Sequence, residues 1–259
     1  MNRLKALVLA TGLASAMSAN AAVLELAFIL DGSGSINSQN YDLQLSGYQN
    51  VLASGSFFDD FIAPSIYDEV YFSAWQFSAT TILETDWTLI DSNAAATAFG
   101  NTFNNTNMDQ LNSTTNIQEA IETVDDSIEN NGIGGGVDDK KIVDISTDGV
   151  PNRPTNPVAG SINAASEARA KDIEVNAIGI GSAVGADYLE SLVGIGSTDP
   201  NIGFFMTAEN FQEFESTLQT KIAREILDEP PSVPEPSSLA LFGIGALALG
   251  RFARRKNHA

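Results

Sequence analysis

Five oxygen-bearing side chains stand at spacings that suit a metal ion. Asp31-Gly32-Ser33-Gly34-Ser35 carries three of them at alternate positions, Thr115 is a fourth, and Asp148 in Thr147-Asp148-Gly149 is the fifth. Carboxylates and hydroxyls are hard donors, matched to Mg2+ first and to Mn2+ or Ca2+ as further candidates. Asp31 and Asp148 bring two negative charges, which balance one divalent ion, while Ser33, Ser35 and Thr115 add neutral oxygens. Protein oxygens need not fill an octahedron, so a position can stay open for water or for a partner's carboxylate. Gly32 and Gly34 let the backbone turn tightly around the ion. Asp-x-Ser-x-Ser is weak as a motif on its own; its meaning depends on the elements that carry it.

Those elements can be read from hydropathy. Residues 23–30 are continuously apolar apart from Glu25, as in a strand buried on both faces, and Asp31 follows directly. Residues 141–147 read as a further strand and deliver Asp148. In a doubly wound sheet the first strand neighbours the one that opens the second half, and ligands bind at their carboxyl ends. Thr115 precedes a helix over 117–128, whose apolar face is Ile117, Ile121, Val124 and Ile128. Further helices are expected over 41–52, 91–103, 162–171, 186–193 and 211–227, and strands over 173–180 and 203–206. Strands over 70–77 and 81–85 with a three-residue gap read as a hairpin, which puts one antiparallel strand at an edge. The alternation gives a three-layer α/β fold, Rossmann-like and doubly wound, with a mostly parallel sheet. Residues 104–115 and the glycines of 132–136 read as loops.

Composition removes several chemistries. There is no cysteine, and the single histidine, His258, lies in a basic tail. Disulfides, thiolate or imidazole metal sites and a Ser-His-Asp triad are therefore absent from the body. The chain carries a formal charge of −20. Its basic residues gather at the two ends, leaving Lys140, Lys141, Arg153, Arg169, Lys171, Lys221 and Arg224 against all 33 acids between them. Such a body repels nucleic acid and anionic lipid and favours cations.

Both ends carry processing features. Residues 1–21 have the plan of a secretory signal: Arg3 and Lys5, an apolar stretch, then Ala19-Asn20-Ala21 as a small-x-small cleavage site. The expected body is residues 22–228. Residues 229–238 form a Pro-rich linker, and 239–259 an apolar run of twelve followed by Arg251, Arg254, Arg255 and Lys256. Twelve residues are short for a span; the positive charges beyond them favour a tail held in the cytoplasm with the body outside. Val233-Pro234-Glu235-Pro236, the apolar run and the Arg-rich end together resemble the PEP-CTERM sorting signal of Gram-negative-type bacteria. That resemblance implies an exosortase as processing enzyme, a transient or retained membrane anchor, and a surface or extracellular-matrix destination, commonly alongside exopolysaccharide and biofilm production.

The body resembles the von Willebrand factor type A (VWA) domain over about residues 23–227. Asp31-Gly32-Ser33-Gly34-Ser35, Thr115 in Thr114-Thr115-Asn116-Ile117, and Asp148 in Ser146-Thr147-Asp148-Gly149 look like its metal-ion-dependent adhesion site (MIDAS). The resemblance implies Ser33, Ser35 and Thr115 as direct or near-direct ligands, and Asp31 and Asp148 as ligands directly or through water. It further implies cation-dependent binding of a protein or matrix ligand, through an acidic group that completes the coordination, without catalysis. One departure is local: members often have Gly before the Thr, where this chain has Ser113-Thr114. Two other readings stay open, a structural matrix protein whose metal only stabilises the fold, and a metal-dependent hydrolase of phosphate or glycan esters. A fold that has lost the metal, with Asp31 capping a turn, is the bland alternative. Asp144 within its strand is expected to be a buried structural acid, Asp138-Asp139 a solvated loop, and Trp75 and Trp87 packing residues.

Overall fold

The structure, a computed structural model, describes residues 21–227. The signal segment, the Pro-rich linker and the apolar tail read from the sequence lie outside the described residues. Among the described residues no helix is long and apolar enough to cross a membrane, and the span read into 239–250 lies beyond them.

Six strands form one sheet: β1 (Val23–Asp31), β2 (Glu69–Phe77), β3 (Thr81–Leu89), β4 (Lys140–Thr147), β5 (Ile173–Ile180) and β6 (Phe205–Ala208), in the order β3-β2-β1-β4-β5-β6. All neighbours are parallel except the β2–β3 hairpin, which places the antiparallel strand at the edge. β1 sits between β2 and β4, so the chain winds outward on one side and then on the other, and the reversal falls beside β1 and β4.

Six helices cover the sheet: α1 (Ser38–Leu52), α2 (Asn93–Gly100), α3 (Ile117–Asn130), α4 (Pro157–Arg169), α5 (Ala186–Val193) and α6 (Phe214–Leu227). The pleat divides β1 between two cores. Leu24, Leu26, Phe28 and Leu30 pack with α1, α2 and α6. Ala27 and Ile29 pack with α3, α4 and α5. Phe28 makes edge contacts with Tyr48 and Phe72 at centroid distances of 5.5 and 5.2 Å, a geometry favoured by the ring quadrupole.

Several boundaries differ from expectation, each for a local reason. α4 begins at Pro157 rather than 162, because Pro suits the first helical position and lacks only an N–H that would be unpaired anyway. α2 is shorter than 91–103: Ser92 caps its start by accepting from Ala95 N. α6 starts at Phe214 rather than 211 because Asn210 Oδ1 accepts from Gln212 N and Glu213 N and holds them in a turn. β3 runs on to Leu89 with irregular register, as suits an edge that must resist further pairing. β6 is displaced to Phe205–Ala208. A π-helical turn at Phe58–Ile62 has no counterpart in the hydropathy reading.

Candidate metal centre

The parallel pairing sets the site. Leu30 pairs with Ser146 across β1 and β4, so Asp31 falls opposite Thr147 at the carboxyl ends of adjacent strands. Thr147 Oγ1 donates to Asp31 Oδ2 at 2.6 Å, and Asp31 Oδ1 accepts from Ser33 N at 2.8 Å. Asp31 therefore does cap the turn after β1, the bland role, but each carboxylate oxygen keeps a second lone pair. Ser33 Oγ and Ser35 Oγ lie 3.0 Å apart, and Ser35 Oγ donates to Asp148 Oδ1 at 2.6 Å. Asp31, Ser33, Ser35 and Asp148 thus form one continuous oxygen cluster.

Thr115 reaches this end of the sheet through its backbone. Gly34 N donates to Ser113 O at 2.7 Å and Asn112 N to Gly32 O at 2.8 Å, so the loop before α3 lies against the loop after β1. Thr115 N donates to Asn152 Oδ1 at 3.0 Å, while Thr115 O accepts from Asn152 N and Arg153 N. No hydrogen bond among the described residues joins the Thr115 hydroxyl to the other four side chains. The departure at Ser113-Thr114 is accommodated by Ser78, whose hydroxyl accepts from Ser113 N and donates to Thr114 O.

Burial grades the cluster from inside to outside. Asp31, Ser33 and Thr115 are buried, Asp148 is half-buried and Ser35 is exposed. Burial pushes the Asp31 carboxyl up to about 6; hydrogen bonds from Ser33 and Thr147 offset part of that rise, and the charge of Asp148 adds to it. Burial also raises Asp148, against the hydrogen bond from Ser35. Two desolvated carboxylates side by side are the electrostatic condition that a divalent cation relieves.

The donor set fits a small hard ion. Oxygens bound octahedrally at about 2.1 Å stand roughly 3 Å apart along an edge, and the Ser33–Ser35 spacing is 3.0 Å. Among the described residues no three His, Cys, Asp or Glu side chains converge as ligands; this centre has two carboxylates and draws its other oxygens from hydroxyls.

Other residues hold the loops and were missed in the sequence. Gln76 accepts from Leu111 N and donates to Asp109 O. Gln110 Nε2 donates to the carbonyls of Ser33 and Ile36. Gln44 Nε2 donates to Asp31 O. Only Thr147 had a readable signal, its place beside Asp148. Of the remaining candidates, Asp139 accepts from Val23 N, Gly135 N and Gly136 N, and Trp75 is buried with its indole N–H on Ser73.

Comparison with known proteins agrees with this architecture. A family described as "Protein of unknown function (DUF1194)" matches residues 21–230. The chain belongs to that family. The PEP-CTERM protein-sorting motif matches residues 232–256, which implies export, exosortase processing and a surface or extracellular destination. A search of the curated proteins finds no match.

Among solved structures, proximal thread matrix protein 1 from the mussel byssus, with a zinc-occupied MIDAS motif, is 22% identical with a TM-score of 0.59, covering 78% of this chain and 48% of that one. Manganese-loaded TRAP protein from Plasmodium vivax is 18% identical with a TM-score of 0.53, over 77% and 72%. A von Willebrand factor type A protein from Catenulispora acidiphila is 13% identical with a TM-score of 0.55, over 80% and 43%. The chain spans about half the length of the mussel protein. The fold is the VWA fold.

Proposed function

We propose that this exported VWA module binds its ligand through a divalent cation held by Asp31, Ser33, Ser35, Thr115 and Asp148, with Mg2+ the preferred ion. The supporting observation is the cluster itself: Asp148 accepts from the Ser35 hydroxyl at 2.6 Å, Ser35 and Ser33 hydroxyls lie 3.0 Å apart, and Ser33 N donates to Asp31 at 2.8 Å on the neighbouring strand end. The ion would supply an open coordination position toward solvent, where Ser35 and Asp148 lie, for an acidic group of a protein or matrix ligand. The chain's own residues do the rest. Thr147 and Ser33 N orient Asp31, and the paired loops at Gly32–Gly34 and 112–115 keep Thr115 at the rim. Beyond the carboxylates that would hold the ion, the body offers no histidine or cysteine as general base or nucleophile, which favours binding over catalysis. Two of the similar structures support this reading: the mussel protein holds zinc in its MIDAS motif and the Plasmodium vivax protein is manganese-loaded. The C-terminal segment would hold the protein at the inner membrane until or after exosortase acts.

Calorimetric titration of the exported protein with Mg2+, Mn2+ and Ca2+ tests this. Saturation at a hundredfold excess over Kd should stabilise the fold by about 2.7 kcal/mol, and Asp31→Ala and Asp148→Ala should abolish both heat and stabilisation. Affinity should weaken as the pH falls below about 6 and the proton competes for Asp31. Unchanged metal binding in both variants would sink the assignment. A cation that stabilises the fold without supporting capture of any surface or matrix ligand would favour the purely structural role.

A further inference from the structure

Arg153 stands apart from the other bases of the body. Lys140 pairs with Glu174, Arg169 with Asp199, Lys171 with Asp125 and Glu129, and Lys221 with Asp144 and Glu225. Arg224 stacks 3.6 Å over the Phe204 ring, and Lys141 faces the charge of Glu25. Arg153 is exposed, and no carboxylate or ring meets its guanidinium among the described residues. Its position is also singular. Lys140 and Lys141 open β4, Arg169 closes α4, Lys171 precedes β5, and Lys221 and Arg224 lie in the second half of α6. Helices return antiparallel to the strands, so these six lie in the middle of the molecule or at the end opposite Asp31 and Asp148. Among the described residues Arg153 is the one cation at the carboxyl end of the sheet.

The backbone fixes it there. Arg153 N donates to Thr115 O at 3.2 Å. The residue lines a groove of about 720 Å³ whose walls include Ser113, Thr114, Asn116, Asn152 and Thr155. The groove adjoins the oxygen cluster through Ser113, whose carbonyl accepts from Gly34 N. Its lining is amide and hydroxyl, with Ala79 and Pro154 the only apolar residues. Protein partners draw affinity from aromatic and aliphatic anchors seated in apolar pockets, and this groove offers none. Amides and hydroxyls suit a ligand that is itself dense in hydroxyl groups, and a free guanidinium suits a planar carboxylate by paired hydrogen bonds.

We infer that the groove is a saccharide subsite for an acidic oligosaccharide of the uronate type. Resting on the metal-site reading, one sugar carboxylate completes the cation's coordination, a second pairs with Arg153, and the ring hydroxyls between them bond the Nδ2 hydrogens of Asn152 and the Thr155 hydroxyl. The acidic body repels polyanions at a distance, an effect that salt screens within about 8 Å, so recognition depends on the cation and Arg153 acting together.

Titrating the full exported protein with tri-galacturonate in Mn2+ tests this, with a neutral trisaccharide, galacturonate monomer and a tri-glutamate peptide as comparison probes. The trimer should bind, EDTA should abolish binding, and the neutral sugar should be inert. Arg153→Gln should weaken the trimer at least about tenfold while shifting the monomer far less, and Arg153→Lys should restore part of the loss. Equal trimer binding by parent and Arg153→Gln protein overturns the inference, as does a preference for tri-glutamate over the uronate. Metal titration separates the two readings. If Asp31-dependent Mn2+ binding persists while Arg153→Gln has no effect on the trimer, the subsite alone fails. If no Mn2+ binds, the metal centre fails and the subsite with it.

Discussion

Glu225→Gln should make this protein more resistant to alkaline pH. Lys221 and Glu225 on α6 and Asp144 on β4 are fully buried. Lys221 Nζ meets Asp144 Oδ1 at 2.5 Å and also contacts Glu225 Oε1, which accepts from Asn176 as well. One cation faces two carboxyls, and burial together with the charge of Asp144 pushes Glu225 up to about 8, against the pull of Lys221. Folded Glu225 therefore holds its proton at neutral pH, which leaves the triad neutral overall.

The sign follows. A carboxyl raised from 4.5 to about 8 on folding contributes stability that is fully present below pH 4.5 and is lost as pH rises through 8, because only the unfolded chain releases the proton easily. At about 1.4 kcal/mol per pKa unit, the parent loses roughly 4 kcal/mol from this group between pH 5 and pH 9. Glutamine copies the protonated acid in shape and hydrogen bonding and has no proton to lose. Urea unfolding of parent and variant at both pH values measures the difference. Raised carboxyls remote from the triad, such as Asp31 and Glu25, are common to both proteins and cancel; Asp144, itself raised by burial against the pull of Lys221, titrates together with Glu225, so the difference reports that pair. The variant should be within about 1 kcal/mol of the parent at pH 5 and ahead by roughly 4 kcal/mol more at pH 9. A parent-to-variant gap that is the same at both pH values would refute the reasoning.

Two further outcomes concern the ends of β1. A Cβ at Gly32 would lie 2.0 Å from Gln76 Oε1, so Gly32→Ala must displace the side chain that accepts from Leu111 N. Urea midpoints should show a loss of about 1–3 kcal/mol, with weaker cation binding as the 109–115 loop shifts; full parental stability would mean that Gln76 yields freely. Ala22 N donates to Asp68 Oδ2 at 3.0 Å. Export cleavage after Ala21 would turn that nitrogen into an ammonium. Asp68→Asn should then lower the melting temperature of the processed protein more than that of the unprocessed chain, an effect of at most about 1 kcal/mol for an exposed pair, and equal shifts in the two forms would argue against cleavage there.

The legible parts of this fold share a cause. β1, β4 and β5 are buried along most of their length, so their hydropathy marks them within a residue or so, and Asp31 and Asp148 become visible as the carboxylates at their ends. The candidate site could be read because its carboxylates come from strand ends, whose relative placement the winding of the sheet dictates. Its supports could not. Gln76, Gln110, Asn152 and Ser78 act across 35 to 77 residues of sequence and carry no spacing signal. The edge strand β3 was cut short for the opposite reason: half-exposed, with Glu84 and Asp86 either side of its midpoint, it lacks the continuous apolar run that marks the buried strands.

The charged triad lies between these cases. Leu218, Lys221, Ile222, Glu225 and Ile226 recur at helical spacing, and all five are buried. Two charges on the buried stripe of a closing helix are improbable unless a third group answers them. Asp144, a lone acid amid Ile142, Val143 and Ile145 of β4, was the visible answer, and read alone it marks only a buried structural acid. Read together, the three specify that α6 packs on β4 in a single register, since sliding the helix by one turn would leave Lys221 without Asp144. The same contact joins the last described helix, which leads into the sorting segment, to the strand that delivers Asp148.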